Sequence, residues 1–280
     1  MPGVRLDAEL AFDVRAQLGE GALWDWRTGL LLSADILAGR LLVSDPRDGS
    51  TRSIEVGQPV SAAMLRGERE LLLAVRDGFK SLDPQKGTAA DLVAVEADRP
   101  ENRMNDAACD PSGRCFAGTM AFDTSPGAGT LYRLDPDLSV RPVLTNLSIS
   151  NGIGWSPSGR LMYHVDSRAG GVEAYDFDER TGLPGERRRL VDTDPGWGLP
   201  DGLAVDAEGG IWVAFWDGSA VRRFDPGGSL STVIELPAPR PTRPAFGGAD
   251  LDRLYVTTAD GPILVLDHGV RGLPASVFAG

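Results

Sequence analysis

The chain predicts an all-β fold, a six-bladed β-propeller, on three observations. Helical periodicity is almost absent across its 280 residues. Short runs of β-branched, aromatic and alternating residues recur from one end to the other. A proline- and glycine-bearing turn recurs between them at irregular spacing, yet two hairpins repeat roughly every 45 to 50 residues, as one four-stranded blade does. Dividing the length by that period gives about six blades.

The strand-like runs come in order. The first are Leu30–Asp35, Arg40–Ser44, Leu71–Val75, Cys115–Gly118, Thr130–Leu134 and Leu161–Val165. Gly171–Tyr175, Ile211–Phe215, Val221–Phe224, Arg253–Thr257 and Pro262–Leu266 follow. The turns are Asp45–Gly49, Asp83–Gly87, Asp110–Gly113, Asp135–Asp137, Ser156–Gly159, Asp206–Gly209 and Asp225–Gly228. Proline presets φ for such a turn, and glycine accepts the left-handed position. No linker or composition break divides the chain, so a single propeller domain over 1–280 is expected. A β-sandwich pair is the competing architecture.

Composition narrows the function. The chain is 42% hydrophobic, with 35 glycines and 20 prolines, which suits a turn-rich globular β protein. A net charge of −12 argues against nucleic acid and anionic membrane as partners. Met1–Leu10 lacks the apolar core of a signal peptide, and no run is long enough to span a bilayer, so a cytoplasmic protein is expected. Edge and surface composition leave monomer and small homo-oligomer both open. The two cysteines, Cys109 and Cys115, flank a hairpin turn that sets them opposite each other on paired strands. Reduced, buried thiols are the expectation, with a cross-strand disulfide as the alternative.

Chemistry concentrates in four short motifs. Glu20 lies between Gly19 and Gly21, Asn151 before Gly152, and Asp201 before Gly202; Arg103-Met104-Asn105-Asp106 falls between the first two. Each borders a strand-like run, so each is expected on a loop at a strand end. Alone, Asn-Gly and Asp-Gly read as hairpin turns, and Glu20 as a solvated carboxylate. Yet Ile153–Gly159 and Leu203–Gly209 are near-identical continuations, and Ala107–Gly113 repeats the pattern. The Asn151, Asp201 and Arg103–Asp106 motifs therefore hold equivalent places, each at the start of an inner strand. A propeller gathers such places around its channel. Two carboxylates and one or two amide oxygens there suit one divalent cation: calcium, magnesium or manganese, with zinc poorer in its preferred ligands. Arg103 in a channel mouth would donate to a polar ligand, and Asp123 continues the same blade. His164 and His268 are placed away from the motifs, and neither is expected to be catalytic. Trp24 and Trp155 are expected to wall the site and Trp212 to pack the core. Arg187–Arg189 reads as a solvated face.

The motifs together resemble the family of senescence marker protein-30, or regucalcin, and the bacterial gluconolactonases. The likeness covers most of the chain. It runs through Gly19-Glu20-Gly21 with Trp24-Asp25, then Arg103–Asp106, Asp110–Arg114, Phe116–Met120 and Ser150–Ser156. It continues through Asp166-Ser167, Pro200–Asp206, Pro244–Gly248, Leu254–Thr257 and Gly269–Pro274. It implies a six-bladed propeller with one divalent metal held by Glu20, Asn151 and Asp201. It further implies substrate binding by Arg103, Asn105 and Asp123, with Asp201 doubling as the general base or acid. Two departures stand out: Ala22-Leu23 replaces a proline common after Glu-Gly, and the segment after Met120 is short. The implied activity is metal-dependent opening of a sugar lactone to its aldonic acid. A calcium-binding regulatory propeller without turnover, and a metal-dependent esterase or phosphotriesterase, remain the alternatives.

Overall fold

A computed structural model describes residues 8–280. The first seven residues of the Met1–Leu10 segment, on which the absence of a signal peptide was read, lie outside the described residues. Among the described residues no helix is long and apolar enough to cross a membrane.

Six antiparallel sheets succeed one another along the chain as the blades of a propeller. Their innermost strands are Gly19–Asp25, Val60–Arg66, Asn102–Cys109, Ser150–Trp155, Leu199–Val205 and Pro241–Gly247. Each inner strand packs on those of the two neighbouring blades, so the ring is closed. This excludes the sandwich alternative. The N-terminal strand Glu9–Phe12 closes the ring by serving as the outer strand of the last blade. Closure leaves only short, protected sheet edges.

The recurrent turns behave as their residues dictate. Gly49, Gly87, Gly113, Gly159, Gly209 and Gly228 all take positive φ. Each donates its N–H back to the residue that opens the turn, from Asp45 to Asp225, at 2.8–3.0 Å. In the Asp135 turn Leu138 takes that left-handed place at φ 66°, an uncommon conformation for a leucine. The hairpin register sets Cys109 directly opposite Cys115, both buried as free thiols.

Apolar side chains pack between adjacent blades, as in the Leu73, Leu65 and Leu32 cluster between the first two. Trp212 is fully buried. The outer strands, such as Ser50–Glu55 and Thr88–Ala94, are mostly exposed. Outer Leu183–Asp192 carries the exposed Arg187–Arg189 run, where Arg188 pairs with Asp176 and Arg189 with Glu173.

One irregularity recurs in every blade. Between Glu20 and Leu23 the inner strand carries one residue more than its partner. The same extra residue appears between Val60 and Ala62, Met104 and Ala107, and Ser150 and Ile153. It appears again between Pro200 and Leu203 and between Pro241 and Pro244. A bulge interrupts the ladder and re-aims the local side chains. Six bulges at one level make a girdle near the end where the inner strands begin, here called the upper end.

At the lower end the C-terminal segment crosses the channel. Ala207 N–H donates to Arg271 O at 2.8 Å, and Trp26 Nε1 to Ala275 O at 3.0 Å. Val277–Phe278 then pairs in parallel with Leu65 and Arg66, and Ala279 N–H donates to Gly113 O at 2.9 Å. This strap touches the fifth, sixth, first, second and third blades in turn.

Candidate functional site

The girdle is where the sequence motifs meet. Glu20, Arg103, Asn105, Asn151 and Asp201 lie within or beside the bulges, and all are buried. They sit inside the inner strands, not on loops at strand ends as the sequence suggested. The bulge does what a loop would otherwise do, turning consecutive residues out of the pleat.

The glycines that follow the three oxygen-bearing residues are explained by packing around the ring. A Cβ on Gly21 would lie 2.6 Å from Ser61 O of the second blade, and one on Gly152 2.7 Å from Asp201 O of the fifth. A Cβ on Gly202 would lie 2.7 Å from Thr242 O and 2.8 Å from Arg243 Cβ of the sixth. Each glycine admits the neighbouring inner strand, so Asn-Gly and Asp-Gly here are close approaches between blades.

Charge is dense at this level. Burial pushes the Glu20 carboxyl up to about 8, assisted by repulsion from Asp106 and opposed by the Gly21 N–H, Arg243 and Arg103. Burial raises Asp201 well above the ordinary carboxylate range, and Glu20 and Asp106 add to the shift. The neighbouring Asn151 amide and the Gly202 N–H oppose it. Burial draws Arg103 down to about 10. Taking charge out of water disfavours the charged form unless a partner compensates.

Arg103 donates to Asn105 Oδ1 at 2.7 Å and to Met104 O at 3.0 Å. Asn105 Nδ2 donates to Ser150 O at 3.0 Å, tying the third blade to the fourth. Asn151 Nδ2 donates to Ser167 Oγ at 3.2 Å, which leaves Asn151 Oδ1 buried without a donor. Asp201 Oδ1 and Asp106 Oδ2 are likewise buried and unpartnered. Buried acceptors are nearly always satisfied, so three orphans at one level call for a donor or a cation.

Asp123 does not join this cluster. It is exposed beyond the strand Cys115–Ala121, and its carboxylate accepts from Ser125 N–H at 2.9 Å. It stands on the upper rim beside Phe122, whose ring lies 5.9 Å from the Arg103 guanidinium carbon.

His164 is not remote from the motifs, contrary to the sequence reading. It is buried opposite Ile153, with Nε2 2.9 Å from Ser150 Oγ, directly behind Asn151. Burial lowers it to about 4, so it backs the site as a neutral ring. Trp24 and Trp155 do not wall the polar girdle. They line a cavity of about 330 Å³ in the lower channel with Met64, Ile153 and Leu203.

Two site residues escaped the sequence reading. Asp106 was noticed only as the end of a motif, and Arg243 not at all. Arg243 NH1 bonds to Asp106 Oδ1, and also donates to Ala107 O at 3.1 Å. Its signal was positional: Pro241-Thr242-Arg243 opens the sixth inner strand as Pro200-Asp201-Gly202 opens the fifth, with Arg243 in the place of Gly202.

Among the described residues no three His, Cys, Asp or Glu side chains come together to hold a metal ion. Glu20 and Asp201 could offer a cation carboxylates, and Asn151 an amide oxygen. Such hard oxygens match calcium, magnesium or manganese better than zinc.

Fold and site thus define a six-bladed propeller with an acidic, oxygen-rich girdle at one end of its channel. A family model described as the SMP-30/gluconolactonase/LRE-like region matches residues 18–260. The chain belongs to that family. It is 34% identical to regucalcin of Gallus gallus, over 95% of this chain and 96% of the relative. It is 37% identical to the putative sugar lactone lactonase YvrE of Bacillus subtilis, over 91% of this chain and 87% of the relative. A crystal structure described as a calcium-binding protein, regucalcin, from Agrobacterium tumefaciens superposes with a TM-score of 0.94 at 30% identity, covering 98% of each chain.

Proposed function

We propose that the protein is a metal-dependent lactonase that opens a sugar lactone to its aldonic acid. The observation that carries this reading is the convergence of Glu20, Asn151 and Asp201, with two orphaned acceptor oxygens, in a channel built on the family's fold. Glu20, Asn151 and Asp201 would hold one divalent ion, which when bound polarises the lactone carbonyl and steadies the oxyanion. Arg103 and Asn105, already bonded to each other, orient the polyol by donating to its oxygens. Asp201 takes the proton of the water that adds to the carbonyl and returns it to the ring oxygen as that C–O bond breaks. Burial at the girdle keeps bulk water away from this exchange. Asp123, on the rim, would meet the outer end of a longer substrate.

The relative named a sugar lactone lactonase supports turnover. The relatives named regucalcin, and the neighbour described as calcium-binding, support a second reading of calcium binding without turnover. One experiment separates them: acid release from a panel of aldonolactones in a pH-stat, with metal-stripped protein resupplied with calcium, magnesium, manganese or zinc. Metal-restored turnover is expected. Metal binding without acid release from any lactone would move the assignment to the second reading.

A further inference from the structure

We propose that Arg243 is a built-in counter-cation: it crosses the channel to Asp106 and sets how tightly the Glu20–Asn151–Asp201 pocket holds a divalent ion. The inference rests on the metal-site reading above.

The geometry singles out this pair. Asp106 belongs to the third blade and Arg243 to the sixth, which face each other across a six-bladed ring. Their bond therefore spans the channel, joining residues 137 apart in sequence. Both side chains are more than nine-tenths buried. The strut is anchored at both ends. Arg243 N–H donates to Thr257 Oγ1 at 3.2 Å, and Thr242 Oγ1 donates to Gly19 O at 2.8 Å beside Glu20. Asp106 Oδ1 also accepts from Ala107 N–H at 2.7 Å. The Arg243 stem passes so close to Gly202 that no side chain fits there. The backbone that carries Asp201 is thus shaped around this arginine.

Charge supplies the function. The girdle holds three carboxylates, Glu20, Asp106 and Asp201, against two guanidiniums. Arg103 is bonded to an amide and a backbone carbonyl, so it ties down no carboxylate. Arg243 alone bonds one directly, and its charge also reaches Glu20. It is also the single charged residue on the wall of the apolar cavity beneath, so it floors the polar pocket. A fixed positive charge in a low-dielectric channel offsets Asp106 and weakens the hold on any cation bound by the remaining oxygens. An ion held less tightly keeps more of its field for the substrate. Without Arg243, Asp106 would keep only the Ala107 N–H as a partner and act as a third, uncompensated carboxylate.

Mn²⁺ titration of metal-stripped protein by calorimetry tests this. Arg243→Met should tighten Mn²⁺ binding at least tenfold, whereas a merely structural arginine would loosen it on removal. Arg243→Lys keeps the charge and should stay within threefold of the wild type. The double variant Asp106→Asn with Arg243→Met restores the net charge and should also return to within threefold. Unchanged affinity in Arg243→Met, or a double variant as tight as the single one, overturns the proposal. Should Arg243→Met fail to fold, Asp106→Asn alone decides: it should bind at least tenfold more weakly, and wild-type affinity overturns the proposal. If the wild type binds no Mn²⁺, the metal-site reading itself fails. If the wild type binds and the variants do not differ, only the role of Arg243 fails.

Discussion

The two halves of the channel are built from the same six strands yet obey opposite rules. Below the bulges the walls are apolar, the cavity is lined by residues such as Met64, Ile153 and Leu203, and the C-terminal strap crosses the exit. At the bulges the walls carry three buried carboxylates, two guanidiniums and three orphaned oxygens. The lower half follows the ordinary rule of a core, in which apolar burial stabilises, with Trp155 Nε1 a buried polar atom on its wall that lacks a partner. The upper half is held in place at a cost in stability. A single added residue per strand separates the two regimes, and the local violation coincides with the site of the proposed ligand chemistry.

Substitutions should therefore act in opposite directions in the two halves. The largest effect is expected from Asp201→Asn, which keeps the shape and removes a buried charge. Lactone turnover should fall by at least about 10³-fold, while the melting temperature of the metal-free protein should rise. Near-normal acid release from this variant would break the assignment of Asp201.

Leu203→Ala, in the lower half, should do the reverse. It should cost about 2–4 kcal/mol of unfolding free energy in a urea titration, with metal binding retained at temperatures where the variant is folded. A loss of metal affinity as large as the loss of stability would show that the halves are not separable.

The smallest effect is on pH. Glu20 lies near 8 in the folded protein, against 4.5 for the free side chain. Its folded pKa is raised, so between these values the folded state binds more protons, and stability falls as pH rises through that window. His164, drawn down to about 4, acts in the opposite sense, but only below 6.5. Between pH 6.5 and 8.5 the carboxylates act without that opposition. There the metal-free protein should lose roughly 2–4 °C in melting temperature. Glu20→Gln should flatten the slope. A melting temperature that is level or rises over this range in the unaltered protein would contradict the buried-carboxylate picture.

Much of the fold is visible in short windows of sequence. The turns that open on Asp-Pro or Ser-Pro and end in glycine specify their own geometry, because proline and glycine carry the required φ values. The middle strands read clearly, since runs such as Ile211–Phe215 are apolar on both faces. The outer strands, such as Ser50–Glu55 and Thr88–Ala94, did not read, because a largely exposed edge has little hydrophobic pattern to show. The first and last strands of the ring share a sheet, and nothing local to Glu9–Phe12 announces that it completes the sixth blade.

The site divides the same way. Asn151 and Asp201 stood out because each precedes a glycine at an equivalent point of the repeat, and Glu20 because glycine flanks it on both sides. Arg243 stands at the point held by Gly202 in the fifth blade and Asp106 in the third, with Thr242 in the place of Asp201, so it does not match the pattern of a polar residue before glycine. Asp123 matched by adjacency to its motif, yet the chain turns outward after Ala121 and leaves it on the rim. His164 looked distant because a strand pairing, not sequence proximity, brings it behind Ser150.

The sequence by itself determined the turns, the strand-forming runs, the blade period and the facing of Cys109 on Cys115, because backbone preference and hairpin register act over a few residues. Only the tertiary structure decided the common level of the six bulges, the strut from Arg243 to Asp106 and the strap beneath the channel. These depend on closing the ring, which sets strands from opposite ends of the chain against one another at distances no local pattern can specify.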